Sequence, residues 1–206
     1  MCTLWHAVFG NHHPVEIEVG SGTGTFLLPA AQRLPAVNFF GIERSYSRAA
    51  RLQGIIDARR LANARVIAAD AACIVAGFIP AASVQAYHVY FPDPWWKRRH
   101  HRRRFFTPAF AAVLCRTLVP GGRVYVATDV DDTFALMQNA LQECTGFGRD
   151  PQARPVRLGA TAFERKGLAR GATIRDAVFV KSPSPRPTDW RYTSNAAPIT
   201  PAESPS

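Results

Sequence analysis

Val15, Ile17 and Val19 alternate with Glu16 and Glu18, and the run passes directly into Gly20-Ser21-Gly22-Thr23-Gly24. Such alternation predicts a strand, and the glycines predict a tight backbone turn after it. The next segment, TFLLPAAQRL, sets Phe26, Leu27, Ala30, Ala31 and Leu34 on one helical face. Pro29 must then sit near the first turn or kink the helix. Residues 37–43 (VNFFGIE) predict a second strand, 46–62 (YSRAARLQGIIDARRLA) a helix, 64–70 (ARVIAAD) a third strand and 83–91 (SVQAYHVYF) a fourth. Thr107 and Pro108 make an N-cap and first position for a helix through Leu118. Pro120-Gly121-Gly122 turns the chain into 123–129 (RVYVATD), a fifth strand. Strands alternating with helices require a parallel sheet covered on both faces. A length of 206 residues with 47% hydrophobic content suits one domain with its own core.

Each of the five strands ends in or beside an acid: Glu18, Glu43, Asp70, Asp93 and Asp129. One such acid is ordinarily a helix cap or a solvated loop carboxylate. Five in succession point to one acidic rim, because ligands of open α/β sheets bind outside the carboxyl ends of the strands. The glycine loop is GxGxG, with Thr25 where the dinucleotide fingerprint GxGxxG has its third glycine. An acidic rim repels a pyrophosphate, whereas it suits a sulfonium, an α-amino group and a ribose diol. An acid after the second strand can accept from ribose hydroxyls, and one after the third from an adenine amino group. S-adenosylmethionine fits this rim better than a nicotinamide dinucleotide.

The stretch FPDPWWKRRHHRRR, residues 91–104, holds Asp93 between two prolines and then six Lys or Arg side chains. Without those six, the balance of 25 basic against 15 acidic residues falls to 19 against 15, so one segment supplies more than half of the net +10. Basicity this local predicts a docking face for a polyanion. Trp95 and Trp96 suit either base stacking or core packing. Cys2, Cys73, Cys115 and Cys144 are scattered, without a CxxC pair, and read as reduced, mostly buried thiols. His6, His12 and His13 lack further ligands at metal spacing, so no metal is expected. The N-terminus does not read as a signal peptide, and no run has the roughly 18 apolar residues of a spanning helix. A cytoplasmic protein without membrane contact is expected, with monomer and homodimer both open.

EVGSGTG (18–24), GIE (41–43), ADA (69–71), FPDPWWKRRHHRRR (91–104), ATD (127–129) and TAFERKG (161–167) occur in order. In this the chain resembles the tRNA (guanine-N7-)-methyltransferase family, bacterial single-chain type, over residues 14–181. The glycine loop is shared by many methyltransferases, but FPDPWxKxRHxxRR with a later TxFE is specific. The resemblance implies a Rossmann-like class I fold, an α/β protein with a mostly parallel seven-stranded sheet and helices on both faces. It further implies methyl transfer from S-adenosyl-L-methionine to N7 of guanine at position 46, in the variable loop of tRNA. By motif match, Glu18, Gly20, Gly22, Gly24, Glu43, Asp70 and Asp93 would bind or border the cofactor, with Asp93 also the catalytic residue. Lys97, Asp129, Thr161, Ala162, Phe163 and Glu164 would meet the substrate. Arg99, His100, His101, Arg102, Arg103 and Arg104 would lie against RNA.

Guanine N7 presents a lone pair, so attack on a methyl carbon needs no general base. Asp93 can instead stabilise the positive charge that develops on the purine, and accept from the guanine N1–H and N2 edge. The basic run then binds phosphates while the acid orients one base. Residues 1–13 form a short N-terminal segment where the family usually has a longer arm, and Arg175 stands where an aromatic is usual. Residues 182–206, with six Pro and five Ser, read as a disordered tail. Three rivals are a nicotinamide oxidoreductase, a noncatalytic RNA-binding module and a methyltransferase acting on another RNA. The first leaves the basic run unexplained and the second the acidic rim.

Overall fold

The computed structural model describes residues 3–93, 106–155, 169 and 171–183. In chain order its elements are α1 (Leu4–Phe9), β1 (Val15–Val19), α2 (Leu27–Arg33), β2 (Asn38–Glu43), α3 (Tyr46–Ala58), β3 (Ala64–Ala68) and α4 (Ala71–Gly77). They continue with β4 (Val84–Tyr90), α5 (Pro108–Thr117), β5 (Leu118–Thr128), α6 (Asp131–Glu143), β6 (Phe147–Asp150) and β7 (Arg175–Lys181). The seven strands form one sheet in the order β3-β2-β1-β4-β5-β7-β6. Strands β1 to β5 run parallel, and β7 runs antiparallel to both of its neighbours. The chain leaves β1 toward β2 and β3, then returns to place β4 on the other side of β1. Strand order therefore reverses between β1 and β4, the place where open α/β sheets bind ligands beyond the carboxyl ends of their strands.

Side-chain alternation sorts the core into two layers. On one face Phe26, Leu27 and Leu28 of the α2 region and Leu52 and Ile56 of α3 pack with Phe39 and Ala64. The opposite face joins Ile17, Phe40, Tyr87 and Val89 to Trp5 and Phe9 of α1, Val75 of α4, Leu114 of α5, and Met137 and Leu141 of α6. Burial of this kind contributes about 1.5–3 kcal/mol per large apolar side chain, and it outweighs the modest propensity of the short helices. Pro29 is the third residue of α2, where its missing N–H removes no intrahelical bond. Thr107 caps α5 by accepting from the Phe110 N–H at 3.2 Å, with Pro108 as the first helical residue.

Several expectations need correction. Strand five begins at Leu118, and Pro120-Gly121-Gly122 forms an irregularity inside it, where the register with β4 jumps from Val84↔Leu118 to Ala86↔Arg123. A Cβ at Gly122 would approach Val119 O to 2.8 Å and Gln85 O to 3.0 Å, so glycine is required where the bulge meets β4. Strand three stops at Ala68, because Asp70 turns the chain to cap α4, accepting from Ala72 N at 3.0 Å and Cys73 N at 3.2 Å. Cys2 lies outside the described residues, and none of the three described cysteines is fully buried: Cys73 is exposed on α4, and Cys115 and Cys144 are half-buried beside each other. Arg175, at the position unusual for the family, pairs with Asp131 at 3.0 Å and links β7 to the first turn of α6. Both partners are largely exposed, so this bond adds little stability. Among the described residues no helix is long and apolar enough to cross a membrane. None of their His, Cys, Asp and Glu side chains group in threes as a metal site.

Candidate active site

The glycine loop lies between the ends of β1 and β2. Gly20 and Ser21 donate to Ile42 O at 2.7 and 3.4 Å, and Gly24 donates to Ser21 O at 2.8 Å. Gly20, Gly22 and Gly24 have φ of +80°, +53° and +77°, which is why glycine recurs at every second position. An added Cβ at Gly20 would meet nothing within 4 Å, so the space over the turn is open.

Glu18 sits in β1 opposite Gly41 of β2 and His88 of β4, at the reversal of strand order. It is 6% exposed, and its Oε2 has no hydrogen-bond partner among the described residues. Burial pushes its carboxyl well above the usual range. The Leu27 N–H opposes that rise, and the charge of Glu43 adds to it. Buried polar atoms are ordinarily hydrogen-bonded, so this open acceptor beside an open turn is an exception among the described residues.

Glu43 ends β2 and is 4% exposed. Its Oε2 accepts from the Gly22 N–H at 2.9 Å, while Oε1 accepts from Ser45 N at 2.8 Å and from Arg48 Nε and Nη2 at 3.0 and 2.7 Å. Burial alone would raise its carboxyl. The Ser45, Arg48 and Gly22 donors outweigh burial and hold it below the ordinary carboxylate value. Two neighbouring acids are thus driven apart in protonation, Glu18 toward neutral and Glu43 toward ionised.

Strand β4 delivers the third acid. Phe91 follows its last residue with φ +49°, a conformation that costs roughly 1–3 kcal/mol in a non-glycine residue. The Phe91 N–H donates to Ala127 O of β5 at 2.8 Å, so the strained residue is pinned to the sheet. Pro92 and exposed Asp93 follow. Asp129 comes directly after β5 and is half-buried; Asp70 is exposed at the start of α4. All five acids therefore lie at the carboxyl edge of parallel strands, although Asp70 also does a cap's work. Lys97, Arg99, His100, His101, Arg102, Arg103 and Arg104, together with Trp95 and Trp96, lie outside the described residues, as do Thr161, Ala162, Phe163 and Glu164.

One polar group behind the rim escaped the sequence reading. His88, 2% exposed, contacts Glu16 Oε2 through Nε2 at 2.8 Å and Tyr90 Oη through Nδ1 at 2.9 Å. Its ring stacks on Tyr125 at 4.9 Å and lies 4.3 Å from Phe26. Glu16, His88 and Tyr90 occupy polar positions of alternating strands, which ordinarily face solvent. Their mutual spacing across β1 and β4 is visible only once the two strands pair. Arg48 was missed for a similar reason, since it reads as the exposed side of an amphipathic helix.

Comparison with known proteins completes the assignment of the fold. A methyltransferase family model (Methyltransf_4) matches residues 12–177. A tRNA (guanine-N(7)-)-methyltransferase of Nitrosomonas europaea is 36% identical over 179 residues, covering 85% of this chain and 80% of that protein. The Myxococcus xanthus protein of the same name is 37% identical, covering 86% and 88%. Among solved structures, the 16S rRNA methyltransferase KamB superposes with a TM-score of 0.62 at 15% identity, over 87% of this chain and 93% of that one. TrmN from Thermus thermophilus gives 0.59 at 23% identity, over 85% and 46%. At these identities the superpositions show the fold alone, a class I methyltransferase sheet. The sequence relatives carry more, and by them this chain belongs to the tRNA (guanine-N7-)-methyltransferase family.

Proposed function

We propose that the protein transfers a methyl group from S-adenosylmethionine to N7 of guanine in tRNA, at position 46 of the variable loop, in the cytoplasm. The observation that carries the cofactor's part is the open Oε2 of buried Glu18 beside an open glycine turn. A cationic amino group there restores ionisation to a carboxyl that burial has pushed toward neutral. Glu43 is the acceptor for ribose hydroxyls. Its Oε1 already takes three donors and its Oε2 one, so a diol finds room at Oε2, or at Oε1 once exposed Arg48 withdraws. Asp70, capping α4 through Oδ1, is the candidate partner of the adenine amino group.

The bound cofactor supplies an electrophilic methyl group on a sulfonium. Guanine N7 supplies the lone pair, so the chain need not remove a proton. Asp93 is the residue assigned to the guanine: its carboxylate accepts from the base edge and stabilises the positive charge arriving on the ring. The strained, sheet-pinned Phe91 and the following Pro92 limit the backbone freedom of that acid. Orientation of the methyl group and N7 supplies a large part of the rate, on the order of several kcal/mol. The names of the relatives support guanine N7 of tRNA as the acceptor, and the basic run at 97–104 supports a polyanionic substrate. Incubation with labelled S-adenosylmethionine and unmodified tRNA, followed by nucleoside analysis, tests the reading. 7-Methylguanosine is the expected product; methyl label in another nucleoside, or none, contradicts it.

A further inference from the structure

Residues 44–51, RSYSRAAR, place three arginines and a tyrosine in eight positions, and no acid follows until Asp57. The segment opens α3, whose buried side is Ala49, Leu52 and Ile56. Arg44, Tyr46 and Arg51 are all exposed, and Tyr46 shows 79% of its surface. Among the described residues no hydrogen bond or ion pair holds any of these three side chains, whereas Arg48 is folded back onto Glu43. Ser47 and Ala50 lie between Tyr46 and Arg51 on the helix surface and are too small to cover the ring. At the helix N-terminus Ser45 Oγ accepts from the Arg48 N–H at 3.5 Å. What remains open is an exposed aromatic ring with two exposed guanidinium groups within five residues of it in sequence, none of the three held by a hydrogen bond or ion pair among the described residues.

Position gives this patch its meaning. It begins one residue beyond Glu43, on the same carboxyl edge of the sheet as Asp93. Only β1 separates β2 from β4, so the two strand ends are roughly 10 Å apart. An RNA strand presenting one guanine at Asp93 must pass neighbouring phosphates and bases over this rim. A ring that stacks on any base, with arginines that neutralise phosphate, is the chemistry such a strand needs. We infer that Arg44, Tyr46 and Arg51 form a second tRNA contact, separate in sequence from the basic run at 97–104. This inference rests on the proposed tRNA substrate and adds where a further part of that substrate lies.

The test uses the full chain and unmodified tRNA, with three variants: Arg44→Gln/Arg51→Gln, Tyr46→Ala and Tyr46→Phe. Binding is measured by anisotropy across a salt series, and methylation by steady-state kinetics. The double variant should reduce the magnitude of the log K against log salt slope by about 1.4–1.8, at 0.7–0.9 per lost phosphate contact. Tyr46→Ala should weaken tRNA binding roughly 5- to 100-fold, and Tyr46→Phe should keep near-parental affinity, because stacking needs only the ring. KM for tRNA should rise more than kcat falls. Cofactor affinity measured without tRNA should match the parent, which separates lost RNA contact from lost fold. Parental salt slope and affinity in all three variants, with the parent still methylating tRNA, overturn the inference alone. A parent that neither binds nor methylates tRNA overturns the proposed function as well.

Discussion

Glu18 and Glu43 are both almost fully buried, yet their carboxyls are driven in opposite directions by what surrounds them. For Glu18 the folded value is raised by burial above the unfolded one. Its native state therefore loses stability as pH climbs from the unfolded value, near 4.3, through the folded value. Glu18→Gln should then raise the melting temperature of the cofactor-free protein at neutral pH and weaken cofactor binding by roughly 1–3 kcal/mol. Calorimetry in buffers of different ionisation enthalpy should also show up to about one proton released on cofactor binding in the parent and none in the variant. Equal affinity in the two proteins would remove Glu18 from the cofactor site. Glu43 behaves in the opposite sense: its lowered value gives stability above the unfolded carboxylate value that is lost as pH falls through the folded one. Arg48→Ala removes two of the donors that lower it. The acid limb of a melting temperature against pH curve should accordingly move to higher pH, by a modest amount because Arg48 is more than half exposed. An unchanged limb would show that Ser45 and Gly22 alone hold the carboxylate.

Among the elements, β5 departs furthest from its sequence reading. Pro120-Gly121-Gly122 has the composition of a loop, and local propensity cannot reveal that β4 on one side keeps it in the sheet. The bulge depends on Gly122, whose missing Cβ lets two carbonyl oxygens approach. Gly122→Ala should destabilise the fold by about 1–3 kcal/mol, the usual cost of overpacking, as read from urea unfolding. A variant as stable as the parent would mean that the strand shifts freely at this point. The first five strands, α2, α3 and α5 were legible because alternation, capping residues and the glycine turn all agreed locally. Helices α1 and α4 are as short as α2 but lack the glycine turn that announces its start, and tertiary packing of Trp5, Phe9 and Val75 forms them. The His88 cluster with Glu16 and Tyr90 was hidden for the complementary reason, since it exists only across two strands 72 residues apart.

Across the whole molecule, the order of strands assembles the chemistry. Reversal at β1 and β4 brings the buried carboxyl of Glu18, the glycine turn and the strand end that carries Asp93 to one edge of the sheet. The acids were readable in the sequence because each ends a strand. The opposite protonation tendencies of Glu18 and Glu43 were not, because protonation depends on burial and on donors contributed by other elements. Exposed Arg44, Tyr46 and Arg51 at the start of α3 lie on the same carboxyl edge as the acids, beyond the end of β2. That arrangement predicts a site-selective outcome that a single mapping experiment reads. Unmodified tRNA is incubated with S-adenosylmethionine and either the parent or Asp93→Ala, and then cleaved chemically at 7-methylguanosine. The parent should give one cleavage at guanine 46, and the variant should bind tRNA while losing roughly 100-fold or more of that product, as expected when charge stabilisation is removed from a reacting centre. Cleavage at other guanines, or product from Asp93→Ala at the parental rate, would contradict the account.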